Sequence, residues 1–314
     1  MNLSNIRNRP AVSGLHHVTA ISGAPQANLD FYIGTLGQRL VKRTVNFDDP
    51  GTYHLYYGDR DAAPGSIMTF FPFVDAGPGR AGAGMASAVA YAVPNLSETM
   101  ERLASEAIDF EGPFERMGER AIALRDPDGM RVEMIEGGAR DEAFHSVTLW
   151  LADIAPTANV LEAMGYVRDE EEDRATGGTG GTEHRVRYRR GPQDRAGIVD
   201  LMVSDARSIG RSGAGTIHHV AFRASSPEEQ LEWRERMIAI GMDVTPVIDR
   251  QYFDAIYFRT PGGVLFEIAT DPPGFTVDED AAHLGEALKL PGRYEPFRDR
   301  IERVLPPIRL PEVA

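Results

Sequence analysis

Apolar and polar positions along the chain follow the same order four times. Each stretch opens with a short run rich in β-branched and aromatic residues, continues with apolar residues at helical spacing, and closes with further strand-like runs. The four stretches cover about residues 14–73, 84–136, 144–204 and 215–270. This order predicts four βαβββ units, two in each half of the chain.

Helical spacing and helix-start signals support a helix in each unit. In the first unit the apolar stripe has the spacing i, i+3, i+4, i+7 and consists of Leu29, Tyr32, Ile33 and Leu36. Asn95 is a candidate N-cap for the second helix, and Ser226 with Pro227 and Glu229 forms a capping box for the fourth. Gly241 follows the fourth stripe and is a typical helix end.

The closing hairpins of the second and fourth units match one another. The turn Asp126–Gly129 and the turn Thr260–Gly263 start 260 − 126 = 134 residues apart, and Glu133 and Glu267 are also 267 − 133 = 134 apart. The match indicates an internal duplication with a junction near residues 137–138.

Two stretches stand outside this pattern. The acidic run Asp169–Asp173 and the glycine-rich run Thr176–Thr182 are typical of a flexible hairpin connection. They lack the strand-then-helix context of a dinucleotide-binding glycine motif. After Asp271 the chain is charged and rich in proline, and it predicts one short helix around Ala281–Leu288 and a tail that could wrap the domains or a second subunit.

Charge and composition narrow the class of partner. The 314 residues include 33 Lys and Arg against 47 Asp and Glu, a net charge of −14. This argues against nucleic acid or an anionic membrane as the main partner. The absence of cysteine excludes disulfides, zinc–thiolate sites and iron–sulfur clusters. With no signal peptide and no apolar run of membrane-spanning length, we expect a cytoplasmic protein.

The histidines carry the strongest chemical signal. The pairs His16-His17 and His218-His219 each precede valine in the opening strand of a unit. Neighbouring strand residues point to opposite faces, so we expect one histidine of each pair to face inward. Glu267 lies in the apolar run VLFEIAT, where an unpaired carboxylate is costly to bury. Two histidines and one carboxylate form the facial triad that suits Fe(II) in oxygenases.

The repeats provide an internal control for this site. His17 aligns with Ser146 of the third unit, and His219 aligns with Ala88 of the second. Glu133, the counterpart of Glu267, therefore has neither histidine partner. We expect the metal only in the cup built from the first and fourth units, and a structural role for Glu133.

The hairpin that carries Glu267 supplies two further candidates. A three-residue turn would place Tyr257 opposite Glu267, where its hydroxyl could exchange a proton with a metal-bound substrate. Arg250 could stabilise a developing anion. Cross-strand packing for Tyr257 and a solvated loop charge for Arg250 are equally compatible with the sequence.

At family level the sequence resembles the vicinal-oxygen-chelate superfamily, which includes glyoxalases, bleomycin-resistance proteins and extradiol dioxygenases. The resemblance rests on the repeats and on HHV…HHV…FEI. The string GLHHVTAISGAPQANLDFYIGTLGQRLVKRTVNFDDPGTYHLYYGD is similar to ring-cleaving dioxygenases that act on hydroquinones. The resemblance covers roughly residues 12–275. It implies an α+β fold of four βαβββ modules paired into two glyoxalase-like domains with cup-shaped mixed sheets, at 12–138 and 139–275, followed by a tail at 276–314.

The resemblance also implies roles for individual residues. The Fe(II) ligands would be His17, His219 and Glu267, with Mn(II) as an alternative metal. The active-site residues around the substrate would be Tyr257, His218, Arg250, His16 and Thr19. None of these positions departs from the pattern.

The implied reaction is Fe(II)-dependent cleavage of a 1,4-dihydroxybenzene by O₂ beside a hydroxylated carbon. A small aromatic substrate and O₂ are the expected partners, and a homo-oligomer is left open. The alternatives are an extradiol dioxygenase acting on catechols, a glyoxalase-like isomerase, and a non-catalytic protein that binds aromatic compounds. Product analysis and O₂ consumption distinguish them.

Overall fold

The computed structural model describes residues 11–137, 143–175, 181–190, 197–206 and 208–310. Within them the chain forms the four predicted βαβββ units and a tail. The first unit consists of β1 (Leu15–Ser22), α1 (Pro25–Leu29), a π-helical turn (Asp30–Thr35), β2 (Arg39–Val45), β3 (Tyr53–Gly58) and β4 (Ile67–Pro72). The second consists of β5 (Met85–Val93), α2 (Leu96–Ser105), β6 (Glu111–Arg116), β7 (Glu119–Arg125) and β8 (Arg131–Glu136).

The second half repeats this order. The third unit consists of β9 (Phe144–Trp150), α3 (Ile154–Ala163), β10 (Val167–Ala175), β11 (Thr182–Arg189) and β12 (Ile198–Ser204). The fourth consists of β13 (Thr216–Ala224), α4 (Pro227–Ala239), β14 (Ile248–Asp249), β15 (Phe253–Arg259) and β16 (Leu265–Pro273). The tail contains 3₁₀ turns at Phe275–Val277, Ala281–His283 and Glu295–Phe297, and α5 (Arg298–Val304).

The predicted helix starts are confirmed. The Asn95 side chain accepts hydrogen bonds from the backbone N–H groups of Ser97 and Glu98, and the Ser226 hydroxyl accepts one from Glu229. Gly241 has φ +90° just past α4, the left-handed conformation in which glycine commonly ends a helix. In the first unit the regular helix is only five residues long before it widens into the π-helical turn.

The sixteen strands form two curled, mixed sheets. The first has the order β14-β15-β16-β13-β1-β4-β3-β2, and the second has the order β10-β11-β12-β9-β5-β8-β7-β6. The first and fourth units therefore share one sheet, as the sequence predicts, and the second and third share the other. Each sheet contains one unit from each half of the sequence. The division into domains at 12–138 and 139–275 therefore describes the halves of the sequence, and it stays a proposal. Residues 138 and 139 lie outside the described ranges.

Two short connecting segments join the sheets side by side. Pro78 bridges Ala214, Arg80 bridges Arg211, and Ala83 bridges Ile209. A Cβ at Gly215, where φ is +83°, would lie 2.1 Å from the carbonyl oxygen of Asp128 in the neighbouring turn. Only glycine permits this close approach between the two sheets.

The tail packs on the edge of the first sheet. Lys42 of β2 has no exposed side-chain surface, and its Nζ lies 2.6 Å from Asp278 and 2.5 Å from Glu279. The hydroxyl of Tyr294 donates to the carbonyl oxygen of Phe47 at 2.6 Å. The tail thus wraps its own chain, which was one of the two expected arrangements.

Two local expectations were wrong. The helix expected at Ala281–Leu288 is only the 3₁₀ turn Ala281–His283, because the left-handed Gly285 lies directly against the backbone of Leu40. The acidic run Asp169–Asp173 lies within β10, where pairing with β11 outweighs its polar composition. Most of the glycine-rich run, residues 176–180, lies outside the described ranges. Among the described residues, no helix is long and apolar enough to cross a bilayer.

Candidate metal centre

Three neighbouring strands of the first sheet bring His17, His219 and Glu267 together. They lie on β1, β13 and β16 and are 2%, 5% and 0% exposed. The Nε2 atoms of His17 and His219 lie 3.3 and 2.9 Å from one carboxylate oxygen of Glu267, and 3.3 Å from each other. Among the described residues, this is the only group of histidines and acids close enough to share a metal ion.

The spacing and charge of these groups fit a metal ion. Nitrogen and oxygen donors about 2.1 Å from one ion, at right angles to each other, would stand about 3 Å apart. Neither oxygen of Glu267 has a well-oriented hydrogen-bond donor among the described residues, although the side chain is fully buried. Burial by itself would raise the pKa of Glu267, but the two histidines outweigh it and hold the pKa far below its ordinary value. A cation at this point would satisfy an otherwise unpaired carboxylate.

Two β-bulges position the histidine pairs. The pairing of β1 with β13 skips His16 on one strand and His218 on the other, so each is the extra residue of a bulge. Nδ1 of His16 lies 2.9 Å from Nδ1 of His17, and Nδ1 of His218 lies 2.7 Å from Nδ1 of His219. The expectation that one histidine of each pair faces inward holds for the first pair, where His17 lines the cavity and His16 does not. It was wrong for the second pair, because both His218 and His219 line the cavity.

The bulges also define hydrogen bonds behind the donors. A histidine that binds metal through Nε2 carries its proton on Nδ1 and usually donates it to a neighbouring group. Here the acceptor is Nδ1 of the preceding histidine, whose own proton then lies on Nε2. Burial lowers the pKa of His16 to about 3 and that of His218 to about 4, so both are neutral near pH 7.

A cavity of about 440 Å³ is lined by His17 and His219, and Glu267 is fully buried beside them. Six aromatic side chains form most of its apolar wall, namely Phe47, Tyr56, Phe71, Phe73, Phe253 and Tyr257. Its polar wall includes Thr19, His54, His218 and Arg250. The cavity has room for a substituted benzene ring next to the donors.

The structure places four of the five implied active-site residues in this wall. Thr19, His218, Arg250 and Tyr257 line the cavity, whereas His16 lies behind His17 and against Phe253, outside the lining.

The register predicted for the hairpin is confirmed, because Tyr257 pairs directly with Glu267. Arg250 Nε donates to the Tyr257 hydroxyl at 3.2 Å, and its Nη1 lies 3.1 Å from Asp48. Burial and Glu267 raise the pKa of Tyr257, so the hydroxyl keeps its proton near pH 7.

The chain is similar to several known proteins. A model of the glyoxalase/bleomycin resistance protein/dioxygenase superfamily matches residues 14–134 and 168–268. The chain belongs to this superfamily. A protein of Bacillus subtilis (strain 168) named "Putative ring-cleaving dioxygenase MhqO" is 43% identical over 321 residues, covering 96% of this chain and 98% of that protein.

Two further matches agree. A "Chlorohydroquinone/hydroquinone 1,2-dioxygenase" from Sphingobium indicum is 33% identical over 316 residues, covering 94% of this chain and 96% of that protein. The crystal structure of a "putative dioxygenase" from Bacillus subtilis subsp. subtilis str. 168 superposes with a TM-score of 0.85 at 41% identity, covering 97% of this chain and all of that one. The resemblance stated from the sequence is therefore confirmed.

The second sheet contains the pseudo-symmetric counterpart of the centre. It has bulges at Ser87 and His145, which place Ala88 and Ser146 at the positions of His219 and His17. Glu133 occupies the position of Glu267 and is bound by both terminal nitrogens of Arg116 and by Arg131 Nε at 2.8 Å. The residue correspondences predicted from the repeats are confirmed, and Glu133 is ion-paired to arginines.

The sequence analysis did not predict a hydrogen-bonded chain of side chains at the cavity beside the metal centre. The Tyr56 hydroxyl lies 2.8 Å from His54 Nδ1, and His54 Nε2 lies 2.8 Å from the Thr69 hydroxyl. That hydroxyl lies 2.9 Å from the hydroxyl of Thr19. Burial and the nearby histidines lower the pKa of His54. The available signal was the i, i+2 spacing of His54 and Tyr56, two polar residues on one face of a strand.

Proposed function

We propose that the protein is an Fe(II)-dependent ring-cleaving dioxygenase that cleaves a hydroquinone beside a hydroxylated carbon. The observation that carries this proposal is the open set of three donors, His17, His219 and Glu267, at the base of an aromatic cavity. The names of the relatives support the reaction class. Bound Fe(II) would supply adjacent coordination positions for a substrate oxygen and O₂, together with the electron transfer that activates both.

Two polar side chains of the wall would hold the substrate as an anion. The Arg250 guanidinium carries a permanent positive charge next to the Tyr257 hydroxyl, and both favour a deprotonated phenol oxygen. With a metal on Nε2 of His219, its Nδ1–H would donate to Nδ1 of His218, and the Nε2–H of His218 would be a third hydrogen-bond donor in the cavity wall. In this arrangement Tyr257 is the group that can exchange a proton with the ring substituents.

The aromatic wall would set the position of the ring. Phe71, Phe73 and Phe253 offer apolar surface to a planar substrate, and they displace water from the donors. A 1,4-dihydroxybenzene would place one oxygen at the metal and the other toward the opposite wall.

The deciding experiment is O₂ uptake by protein loaded anaerobically with one Fe(II) per chain. Hydroquinone, methylhydroquinone, chlorohydroquinone and catechol are each added before O₂. Uptake with a hydroquinone and a ring-opened product supports the proposal, whereas uptake with catechol alone assigns the extradiol reaction. No uptake with any substrate overturns the dioxygenase proposal. O₂ uptake by protein loaded in parallel with Mn(II) shows which of the two metals supports the reaction.

A further inference from the structure

The second sheet encloses a cavity of its own, of about 570 Å³. It is lined by Ser87, Ala88 and Glu133, the counterparts of His218, His219 and Glu267. The duplication has therefore preserved a cup at the equivalent place, without the residues that bind metal. This second cavity is not used by the proposed reaction.

The lining of the second cavity is strongly basic. It contains six arginines against three carboxylates in a chain whose net charge is −14, and Glu111 outside the lining pairs with Arg131 and Arg125. The arginines are Arg80, Arg116, Arg125, Arg131, Arg174 and Arg185. The carboxylates are Asp128, Glu133 and Glu183. Glu133 is already bound by Arg116 and Arg131, so it neutralises charge within the wall.

Two of these arginines have no carboxylate within close hydrogen-bonding distance. Arg185 is 6% exposed, and its nearest carboxylates, Asp200 and Glu183, are 3.7 and 3.8 Å away. Its one close polar contact among the described oxygens and nitrogens is the Thr148 hydroxyl at 2.8 Å. Arg174 forms no ion pair with a described residue, and its guanidinium lies 4.7 Å from the centre of the Phe114 ring. The buried Arg185 guanidinium has only long carboxylate contacts, and the exposed Arg174 guanidinium has no carboxylate partner among the described residues. Both groups therefore favour an anionic ligand.

Part of the remaining wall is apolar. Trp150, Met130 and Met202 line the same cavity. A guanidinium group binds a carboxylate through two parallel hydrogen bonds, and an apolar body attached to that carboxylate would cover the tryptophan and methionine side chains. An inorganic oxyanion would leave this apolar surface uncovered.

We propose that the second cavity binds a small organic carboxylate, with the head group toward Arg185 and Arg174 and the apolar body against Trp150. The site is separate from the metal centre and carries no metal. Its ligand is recognised as an anion with a nonpolar body, whichever pathway supplies it.

Trp150 provides the measurement. The chain has two tryptophans. The other one, Trp233, is buried in α4 of the fourth unit, whose strands belong to the first sheet. Tryptophan fluorescence of the iron-loaded protein is titrated, without O₂ and at constant ionic strength, with benzoate, adipate, inorganic phosphate and neutral benzamide. We expect a saturable change with the two carboxylates, and we expect Trp150→Phe to remove it.

Two matched variants test the charge requirement. Arg174→Gln removes an exposed arginine of the cavity and should weaken carboxylate binding about tenfold. Arg120→Gln removes an arginine of the same sheet that pairs with Glu136 outside the cavity, and it should leave the affinity unchanged. Equal affinity in Arg174→Gln, or no saturable change with either carboxylate, overturns the proposal. Equal binding of benzamide, or of phosphate, overturns the choice of a carboxylate with an apolar body.

Discussion

Glu267 and Glu133 show how one residue type acquires two roles from its neighbours. Both are fully buried on equivalent strands, and both have a pKa below the ordinary value. Glu133 is neutralised by permanent cations, Arg116 and Arg131. Glu267 has only two histidines, which are neutral when they bind a metal, so its charge remains available to an ion.

Replacing each glutamate separately should distinguish these roles. We expect Glu267→Gln to lose bound iron, and O₂ uptake with it, because a neutral amide is a weak metal ligand. Glu133→Gln is the matched control, and it should retain one iron per chain. The measurement is the iron content after equilibration with Fe(II) and gel filtration. Full iron content in Glu267→Gln would remove this residue from the proposed ligand set.

Tyr257 should affect turnover without affecting the metal. Its hydroxyl is held by Arg250 and faces the cavity, and it is the proton-bearing group nearest to Glu267 across the hairpin. We expect Tyr257→Phe to lower kcat by about 100-fold, the lower range for loss of a general acid or base, while iron content stays at one per chain. Unchanged kcat in the iron-loaded variant would leave Tyr257 with a packing role only.

At the level of elements, the β-bulges in β1 and β13 decide the chemistry of the site. Each bulge turns a histidine that would otherwise face away toward the histidine that follows it. The two bulges are not equivalent in their surroundings, because His218 lines the cavity and His16 lies behind His17. Both first histidines can therefore support a metal ligand, but only His218 can also contact a substrate in the cavity.

Alanine at each bulge position tests this difference. His16→Ala should weaken Fe(II) binding by about tenfold, the usual effect of losing a hydrogen bond to a ligand, and leave kcat unchanged at saturating iron. His218→Ala should weaken Fe(II) binding similarly and also lower kcat, because the cavity loses the Nε2–H donor. Iron titrations followed by O₂ uptake at saturating iron separate the two effects. A fall in kcat for His16→Ala would contradict the placement of His16 outside the cavity.

The elements differ in how far the sequence predicts them. Caps and turns follow local chemistry, so Asn95, Ser226 and the hairpin register of Tyr257 were predictable. The partnership of the first and fourth units followed from the histidine pairs and Glu267. The bulges were not predictable, since alternation assumes an unbroken ladder. The chain from Tyr56 to Thr19 depends on contacts among three strands, β1, β3 and β4, which no local pattern encodes.

In the whole molecule, the two sheets divide the work between them. The first sheet gathers two histidines around one carboxylate, beside an aromatic cavity. The second replaces that centre with paired charges, in which Arg187 binds Asp200 at 2.8 Å and Glu119 at 2.6 Å. The duplication thus yields one sheet with a candidate metal centre and one held together by buried ion pairs, whose strength depends on pH.

The ion pairs of the second sheet should make the protein sensitive to acid. Burial alone would raise the pKa of Glu133, but Arg116 outweighs it and the pKa falls to about 2, from an ordinary value of 4.5. Because the folded pKa is the lower one, this carboxylate stabilises the fold by about 3 kcal/mol above pH 4.5, and the contribution is lost as pH falls toward 2.

Urea unfolding of the wild-type protein and Glu133→Gln across this range of pH measures that contribution. We expect the variant to be less stable by about 3 kcal/mol at pH 7, since it leaves Arg116 buried without a partner, and the gap should close as Glu133 becomes protonated in the wild-type protein. Chelator present throughout keeps metal binding out of the comparison. A gap of the same size near pH 3 as at pH 7 would show that the loss comes from packing of the amide and not from the charge of Glu133.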